Sequence, residues 1–495
     1  MELIYLYIED YKNIKNQGFN FSSKFTCKYD EVKKTLQIDE KNNHIENFFA
    51  ENINITAIVG ENGSGKSSVL EAILKIVEDE IYENFILVYF DDGLKYISNF
   101  EFVADIEKSE DFKEKRNIFA YINIEHKHYA FRRYSIVEID KIAVANILAV
   151  ELGKIESSFI ISSFMYIPNK IEIKLREPEQ LINESINFFS LAKREKIKEI
   201  FESIEDRYHQ HLIICYGREK GIDVDIEILR NKEELKTKIS SFVDEKYFHK
   251  YFLKLTNEKI FDISGLTEKQ KDIYFRKDGY RHFFDFDMID EKQRRFNNLS
   301  HGEQMLFGQL LNLYFFSQGN KDSLIFVFDE PEIALHPNWQ KNYMKEVISL
   351  LKKLDKKYQF IVTSHSPFIL SDIPKQNIIF LKDGKQVDAM EKKQTFGANI
   401  HTLLADGFFM DGGLMGEFAK SKIEEVIKYL NDKNLEIKSK EEAQKIINII
   451  GEPILKNQLQ KMLDSKRFEK IDKIDELEEQ IKLLNHRLDI LRKNQ

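Results

Sequence analysis

The segment with the clearest chemical content is a glycine-rich turn at residues 60–67, which reads GENGSGKS. It follows the short apolar run Ile55–Val59 and precedes a helix-like segment, SSVLEAILKIV. A glycine-rich turn between a buried strand and a helix fits the P-loop pattern, in which backbone N–H groups and a helix N-terminus bind phosphate oxygens. Lys66 is then placed to reach the β- and γ-phosphates, and the Ser67 hydroxyl to bind Mg²⁺. The residues predicted to bind a nucleoside triphosphate here are Gly60, Glu61, Asn62, Gly63, Ser64, Gly65, Lys66, Ser67 and Ser68.

A metal and hydrolysis site is predicted where the strand-like run Leu324–Phe328 ends in the acidic pair Asp329 and Glu330. Carboxylates at the end of a buried apolar strand are costly unless they bind a cation such as Mg²⁺. Asp329 is expected to hold the metal together with Ser67, as the aspartate of a Walker B strand does. Glu330 is expected to activate the attacking water as a general base.

Residues 299–304, LSHGEQ, form a polar start to an apolar helix. Ser300 and Glu303 have the spacing of a capping box, which is typical of an ordinary capped helix. Together with Gly302, the same helix start also offers a second anion site suited to a γ-phosphate. Because the segment precedes the acidic pair, we include Ser300, Gly302 and Glu303 among the nucleotide-binding candidates.

His365 follows another strand-like run, Gln359–Thr363. The C-terminal edge of parallel strands is where open α/β sheets bind ligands, so this histidine can donate a hydrogen bond to the γ-phosphate. A lone histidine is more often structural, but beside three phosphate-linked motifs we interpret it as catalytic. Glu330 and His365 are therefore the two catalytic candidates.

The overall composition limits the class of protein. Charged residues make up 32% of the 495 residues and the net charge is −9, which excludes a uniformly basic nucleic-acid-binding chain but not a local basic groove. Cys27 and Cys215 are too few for a disulfide framework and are expected to be core thiols. Neither a signal-peptide core nor a membrane-length apolar run is apparent. These features predict a soluble cytoplasmic protein with no membrane partner.

Short strand-like runs surround the glycine-rich turn in the first part of the chain. They lie at residues 2–8 and 18–29, at Phe85–Phe90, and in alternating form at Asn117–Val137. The turn Tyr11–Ile14, after the first of these runs, either lies near the nucleotide or is a plain surface turn. The sequence leaves those two alternatives open.

From about residue 141 to residue 295 the chain becomes helical and charged, with apolar residues at three-to-four spacing in Ile182–His211. We interpret this region as a helical insertion between the two halves of the nucleotide-binding domain. Basic and aromatic residues mix at Lys246–Tyr251 and Tyr274–Lys277. Such stretches either contact a nucleic-acid backbone or form the solvated faces of helices.

The ordered set GENGSGKSS, LSHGEQ, LIFVFDEPEIALHP and IVTSHSP resembles the ABC-type ATPases of the RecF, SMC and OLD-like group. The resemblance covers roughly residues 1–140 and 290–385. It implies an α/β fold: an ABC-type P-loop ATPase head with a mixed sheet and an antiparallel β subdomain, a helical insertion and a helical C-terminal region. In that group the signature of one subunit closes on the P-loop nucleotide of another, which implies a head-to-tail homodimer that holds two ATP molecules with Mg²⁺.

The same reading predicts five domains or segments. They are the first half of the head, 1–140; the insertion, 141–295; the second half of the head, 296–390; a helical C-terminal region, 391–465; and a coiled-coil-like terminal helix, 466–495.

The chain departs from the transporter branch of these ATPases at two points. Its signature reads LSHGEQ rather than LSGGQ, and His336 stands where transporters have the D-loop aspartate. Both departures favour the soluble OLD-like branch. No clear Q-loop glutamine is found, and the segment ISSFMYIPN near Ser163 is the candidate for that place.

The region beyond residue 385 distinguishes among the relatives. Residues 396–430 have a helical pattern, without the strands of a Toprim nuclease and without a Cys/His cluster of HNH type. They resemble PtuA, the ATPase subunit of Septu-type anti-phage systems, some of them retron-associated. The resemblance implies a separate HNH nuclease subunit of the PtuB kind, with DNA or retron nucleic acid as a further possible partner.

The predicted function is therefore an ATPase that senses nucleic acid or nucleotide state and regulates a partner nuclease in anti-phage defence. The alternative is a DNA repair or recombination ATPase that acts on DNA directly. A third class, an ATP-binding scaffold with vestigial hydrolysis, is disfavoured by Glu330.

The last helix-like segment carries a narrow apolar stripe with three-and-four spacing. The stripe either packs against its own domain or is exposed for self-assembly or partner docking, and higher assembly is one expectation. Its members are Ile474, Leu477, Ile481, Leu484, Leu488 and Leu491.

Overall fold

The structure is a computed structural model of the 495-residue chain. It describes residues 1–109 except 43 and 82, 112, 119–123, 166–240 except 187 and 188, 260–271, 274, 283–389 except 319, 320 and 355, 393–408, 415–431 and 437–493. The chain divides into two compact units, residues 1–409 and residues 410–495.

The strands are numbered along the chain. They are β1 Glu2–Tyr11, β2 Ile14–Asn20, β3 Phe25–Asp30, β4 Thr35–Glu40, β5 Ile53–Gly60, β6 Phe85–Phe90, β7 Leu94–Ser98, β8 Val103–Ala104, β9 Glu107–Lys108, β10 Phe119–Asn123, β11 Pro168–Leu175, β12 Ile260–Asp262, β13 Phe284–Asp290, β14 Ser323–Asp329, β15 Lys357–Ser364, β16 Ile378–Lys382 and β17 Lys385–Val387.

The α-helices are numbered in the same way. They are α1 Lys66–Glu78, α2 Pro178–Ser185, α3 Leu191–Glu202, α4 Arg207–Lys220, α5 Lys232–Ile239, α6 Glu268–Lys271, α7 His301–Ser317, α8 Pro337–Leu351, α9 Pro367–Ser371, α10 Ile400–Thr402, α11 Glu417–Leu430, α12 Lys440–Ile449 and α13 Pro453–Lys493, with a π-helical turn at Leu403–Gly407.

The core of the first unit is a six-stranded sheet in the order β10-β14-β15-β5-β16-β17. Its first five strands are parallel and β17 is antiparallel to β16. Strands buried on both faces need near-continuous apolar sequence, and β5, β14 and β15 have it. Alternate residues enter two different apolar clusters: Val59 and Phe328 belong to one, and Ile58 and Val327 to the other.

The register of this sheet brings the sequence motifs to one edge. Asp329 of β14 pairs with Thr363 of β15, which in turn pairs with Ile58 of β5. Because the three strands run parallel, the residues that follow them leave the sheet on the same side. The P-loop, the acidic pair and the histidine segment therefore meet without any of them being close in sequence.

A largely antiparallel subdomain precedes and flanks the P-loop. It contains a five-stranded sheet, β2-β1-β6-β7-β9, and a three-stranded sheet, β3-β4-β8. Cys27 lies in the apolar cluster between them, and Cys215 is buried in the main core, so the prediction of core thiols is confirmed. Of the predicted alternating segment at residues 117–137, the structure describes β10, and residues 124–137 lie outside the described part.

The region predicted as a helical insertion has helices α2–α6 but also a three-stranded antiparallel sheet, β12-β11-β13. The sequence of β11 shows why the sheet was missed: its buried Ile171 and Ile173 alternate with charged residues, and that period-2 signal lies inside a charged, helix-rich stretch. Glu172 is satisfied by Arg295, 2.5 Å away. The described part of residues 141–295 thus contains a small sheet as well as helices.

Of the basic-aromatic stretches considered for nucleic-acid contact, the structure describes only Tyr274. Tyr274 is fully buried and packs edge-on against Phe284, with ring centroids 5.1 Å apart, so its ring is part of the core and not a stacking platform for bases. Residues 246–251 and 275–277 lie outside the described residues.

The second unit consists of α11, α12 and α13, which pack around a small apolar cluster that includes Val426, Ile447 and Leu459. Helix α13 is continuous from Pro453 to Lys493, so it has no break at the predicted boundary between residues 465 and 466. The predicted domain boundaries stay predictions. None of the helices in the described parts of either unit is both long and apolar enough to cross a membrane.

Candidate functional site

The P-loop has the geometry that its glycines predict. Strand β5 ends at Gly60, and Gly63 and Gly65 have φ values of 77° and 107° before α1 begins at Lys66. These are left-handed conformations that glycine adopts without a steric cost. At Gly60 a Cβ would lie 2.3 Å from the carbonyl oxygen of Leu381, so only glycine lets β16 approach this closely.

Lys66 lies folded over the loop that it belongs to. Its Nζ donates to the carbonyl oxygens of Gly60 at 3.2 Å and Glu61 at 3.1 Å, and the side chain is almost fully buried. Burial lowers the pKa of Lys66, and the negative charges of Glu330 and Asp329 oppose that shift. A buried ammonium beside acceptor oxygens is suited to meet anionic phosphates.

The P-loop and the acidic strand are joined directly by hydrogen bonds. Ser67 Oγ donates to Asp329 Oδ1 at 3.2 Å, and Thr363 Oγ1 donates to the same oxygen at 2.6 Å. Burial raises the pKa of Asp329, and these two hydrogen bonds lower it in part. A hydroxyl and a half-buried carboxylate at one point form an all-oxygen donor set of the kind that Mg²⁺ prefers.

Glu330 has a strained backbone. Its φ is 48°, an unusual value for a residue with a Cβ, and its N–H donates to Thr363 Oγ1 at 2.9 Å. Its carboxylate Oε1 lies 3.1 Å from Nε2 of His365. Such strain is retained where the surrounding structure fixes it, most often at functional sites. Both catalytic candidates therefore lie together at the sheet edge.

The turn at residues 11–14, for which the sequence left two alternatives open, is exposed at Lys12 and Asn13 and also lies against the P-loop. Asn13 Nδ2 donates to the carbonyl oxygen of Gly63 at 2.8 Å. Lys12 forms an ion pair with Glu71 of α1. Gly384, in the β16–β17 turn, packs on the carbonyl of Asn13. The loop is therefore supported from both sides by segments distant in sequence.

The remaining P-loop candidates form the turn itself. Glu61 and Asn62 are exposed, Ser64 is buried and Ser68 is half-buried. The Ser64 N–H donates to the Glu61 carbonyl at 3.2 Å, and the Ser64 carbonyl accepts from the N–H of Gly384 at 2.9 Å.

The LSHGEQ segment forms the predicted capping box. Ser300 Oγ donates to Glu303 Oε2 at 2.8 Å, and the Glu303 N–H donates to Ser300 Oγ at 3.3 Å. Gly302 packs against the turn that follows the acidic pair. A Cβ at Gly302 would lie 2.6 Å from the carbonyl oxygen of Ala334 in that turn. Ser300 is exposed, its hydroxyl and backbone N–H bond with Glu303, and its carbonyl oxygen accepts from the N–H of Gln304 at 3.0 Å. Among the described residues, these hydrogen bonds do not join Ser300 to the P-loop.

The structure also places two further features that the sequence analysis named, His336 and the candidate Q-loop segment. Helix α8 begins at Pro337. His336 caps that helix, and its Nδ1 accepts from the N–H of Asn338 at 3.2 Å. Of the candidate Q-loop segment, the structure describes only residues 166–169, and Tyr166 is buried beneath the guanidinium of Arg294.

Two residues at this site were not among the sequence candidates. Thr363 contacts both members of the acidic pair, and Glu332 is buried behind His365. The only signal for Thr363 was its place at the end of an apolar strand. For Glu332 it was a third acidic residue immediately after the pair.

Parallel strands that bring a phosphate-binding loop and an acidic pair to the same edge are the plan of a P-loop ATPase, and the antiparallel subdomain before the loop makes this one an ABC-type head. The chain belongs to the family described as "AAA domain, putative AbiEii toxin, Type IV TA system", whose model matches residues 55–371.

The chain is also similar to individual proteins. Over 65 residues it is 45% identical to the Retron Ec83 probable ATPase of Escherichia coli, a match that spans 13% of this chain and 11% of that protein. The SMC head domain of Thermotoga maritima is 14% identical, with 78% of this chain and 100% of that chain covered and a TM-score of 0.29. The recombination mediator protein RecF is 14% identical, with 78% and 98% covered and a TM-score of 0.28.

Proposed function

We propose that this chain hydrolyses ATP to ADP and phosphate, in sites that two head-to-tail copies complete for each other. The observation that carries the proposal is the hydrogen-bonded path from Ser67 through Asp329 and Thr363 to the backbone of Glu330. This path holds the phosphate-binding loop and the hydrolytic residues in one arrangement.

The P-loop binds the phosphates of ATP. Its backbone N–H groups and the α1 N-terminus bind the phosphates, and Lys66 exchanges its carbonyl partners for β- and γ-phosphate oxygens. Ser67 and Asp329 fit a Mg²⁺ ion by their donor atoms and their contact, and a bound Mg²⁺ supplies positive charge to the phosphate oxygens.

Glu330 and His365 carry out the hydrolysis step. The Glu330 carboxylate accepts a proton from the attacking water as the water oxygen bonds to the γ-phosphorus and the bond to the ADP oxygen breaks. His365, 3.1 Å from that carboxylate, orients it and donates a hydrogen bond to the γ-phosphate.

Ser300 and Gly302 act on the nucleotide of a second copy. Two observations support this: Ser300 is exposed at the start of α7, and its hydrogen bonds among the described residues do not include one with the P-loop of its own chain. An exposed helix N-terminus can bind a γ-phosphate that another subunit presents.

Subunit mixing tests the composite site. Lys66→Ala removes the P-loop cation and Ser300→Arg blocks the signature, so each variant alone should be inactive. Mixed one to one, they should recover about a quarter of the wild-type rate, because half of the dimers are mixed and each mixed dimer has one complete site. A mixture as inactive as its components would refute the composite arrangement, and an active Ser300→Arg variant would refute the role of the signature.

The ATPase in turn regulates a partner nuclease of HNH type in anti-phage defence. The support is the local similarity to a retron ATPase and the family to which the chain belongs. Expression of this gene with its neighbouring reading frame should give a complex with a nuclease whose DNA cleavage depends on the nucleotide state. If DNA stimulates ATP turnover and no nuclease co-purifies, the protein acts on DNA directly.

The terminal helix serves assembly or partner docking. Leu477 and Ile481 of its apolar stripe are 56% and 55% exposed. An apolar stripe of this width fits the seam of a coiled coil.

A further inference from the structure

We propose that the buried carboxylate of Glu332 is a positioning residue that holds His365 at its working distance from Glu330. The inference rests on the proposed ATPase function and assigns a role to a residue that takes no part in binding ATP or Mg²⁺.

The contacts of Glu332 point to this role. The side chain is 3% exposed, and its Oε1 accepts from Ser364 Oγ at 2.6 Å and from the backbone N–H of His365 at 2.8 Å. Hydrogen bonds to a carboxylate are shorter and stronger than those between neutral groups. One oxygen atom thus fixes the main chain at the residue whose ring faces Glu330.

Glu332 and Glu330 hold the histidine from two sides. They lie on the same turn, separated by Pro331, and Glu330 Oε1 is 3.1 Å from His365 Nε2. Glu332 fixes the backbone of His365 while Glu330 faces its ring. A shift of this turn, or of the segment that carries His365, changes the distance between the general base and the histidine.

The turn that carries Glu332 is itself anchored to two helices. Gln309 of α7 donates to the Pro331 carbonyl at 2.9 Å, and Gln340 of α8 donates to the Leu335 carbonyl at 3.0 Å. Gln340 also accepts from Ser366 Oγ at 2.8 Å, immediately after the histidine. The anchor for His365 is therefore continuous with the packed helices and not a loose loop.

The chemistry of the residue supports positioning over packing. Burial raises the pKa of Glu332, which the hydrogen bonds from Ser364 and His365 oppose. A buried carboxyl is more costly than an apolar side chain of the same size, so packing alone does not account for it. Glu332 provides an acceptor for the backbone N–H of His365, which an apolar residue does not provide.

The test compares four variants of the full chain in steady-state ATP hydrolysis. Glu332→Met keeps the volume and removes the acceptor, and Glu332→Gln keeps an acceptor oxygen. Glu332→Met should lower kcat about 10- to 100-fold with KM for ATP unchanged, because a misplacement of about 1 Å at a catalytic group costs this much. Glu332→Gln should restore kcat to within about threefold of wild type.

The decisive readout is the double variant. If Glu332 acts through the histidine, Glu332→Met should add nothing to the loss already caused by His365→Ala. Full additivity of the two losses, or normal hydrolysis by Glu332→Met, would overturn the inference while leaving the ATPase proposal intact. Inactive wild-type protein would instead remove the ATPase proposal. If Glu332→Met does not fold, Glu332→Ala replaces it, and loss of the fold in both would also overturn a positioning role.

Discussion

Replacing Glu330 with glutamine is the sharpest test of the chemistry at the sheet edge. The amide has the shape of the carboxylate but cannot accept the proton of the attacking water. The backbone N–H of Glu330 still donates to Thr363, so the positive-φ turn keeps its anchor. The change therefore removes one chemical function and leaves the arrangement of the phosphate-binding residues intact.

The size of the effect follows from that function. General-base catalysis contributes about 10²- to 10⁴-fold to a rate, which is about 2.7 to 5.4 kcal/mol of activation free energy. The binding of ATP should not weaken, because Lys66 and Ser67 are unchanged and one negative charge near the phosphates is lost. The variant should thus bind ATP, fail to release it as ADP, and accumulate as the closed dimer.

Two measurements check this expectation. A phosphate-release assay gives kcat, and size-exclusion chromatography with light scattering gives the mass with and without ATP and Mg²⁺. Glu80→Gln is the matched control, since it makes the same chemical change at an exposed position after α1. A turnover within a factor of about three of wild type would refute the role of Glu330 as base.

Two further variants test other parts of the molecule. Burial raises the pKa of Asp329 above its ordinary 3.8, so its ionisation opposes folding, and stability present at low pH is lost as the pH rises through the folded-state pKa. Nucleotide-free Asp329→Asn protein should therefore have a higher melting temperature than wild type at pH 8, by a margin that shrinks toward pH 4. The same variant should lose Mg²⁺-dependent ATP hydrolysis. A variant that melts below wild type at pH 8 would contradict this reasoning. Deletion of residues 475–495 should leave ATP turnover unchanged and reduce the mass of the assembly or its affinity for a partner. If mass and binding are unchanged, the stripe does not serve assembly.

Much of the fold was predictable because its central strands are short and apolar. The runs predicted around residues 55–59, 324–328 and 359–363 all lie in strands of the central sheet. The sheet within the predicted insertion was not predicted, because the alternation in β11 is hidden among charges that form ion pairs in the fold.

The candidate site was predictable only where a motif carries its own local geometry. The P-loop and the capping box are built from neighbouring residues, so their spacing in the sequence is close to their spacing in space. The turn at Asn13 could not be assigned, since only the fold places it on Gly63. Likewise, the hydrogen bonds of Thr363 with Asp329 and of Glu332 with Ser364 depend on the register of β14 and β15.

The sequence by itself determined the identities of the chemical groups: a phosphate-binding loop, an acidic pair after an apolar strand, a capped helix start and a histidine. Only the tertiary structure decided which of them touch. It joined Ser67 to Asp329 and set Glu330 opposite His365. The physical reason is that local spacing fixes which groups a turn can present, whereas the pairing of strands from distant parts of the chain fixes the distances between those groups.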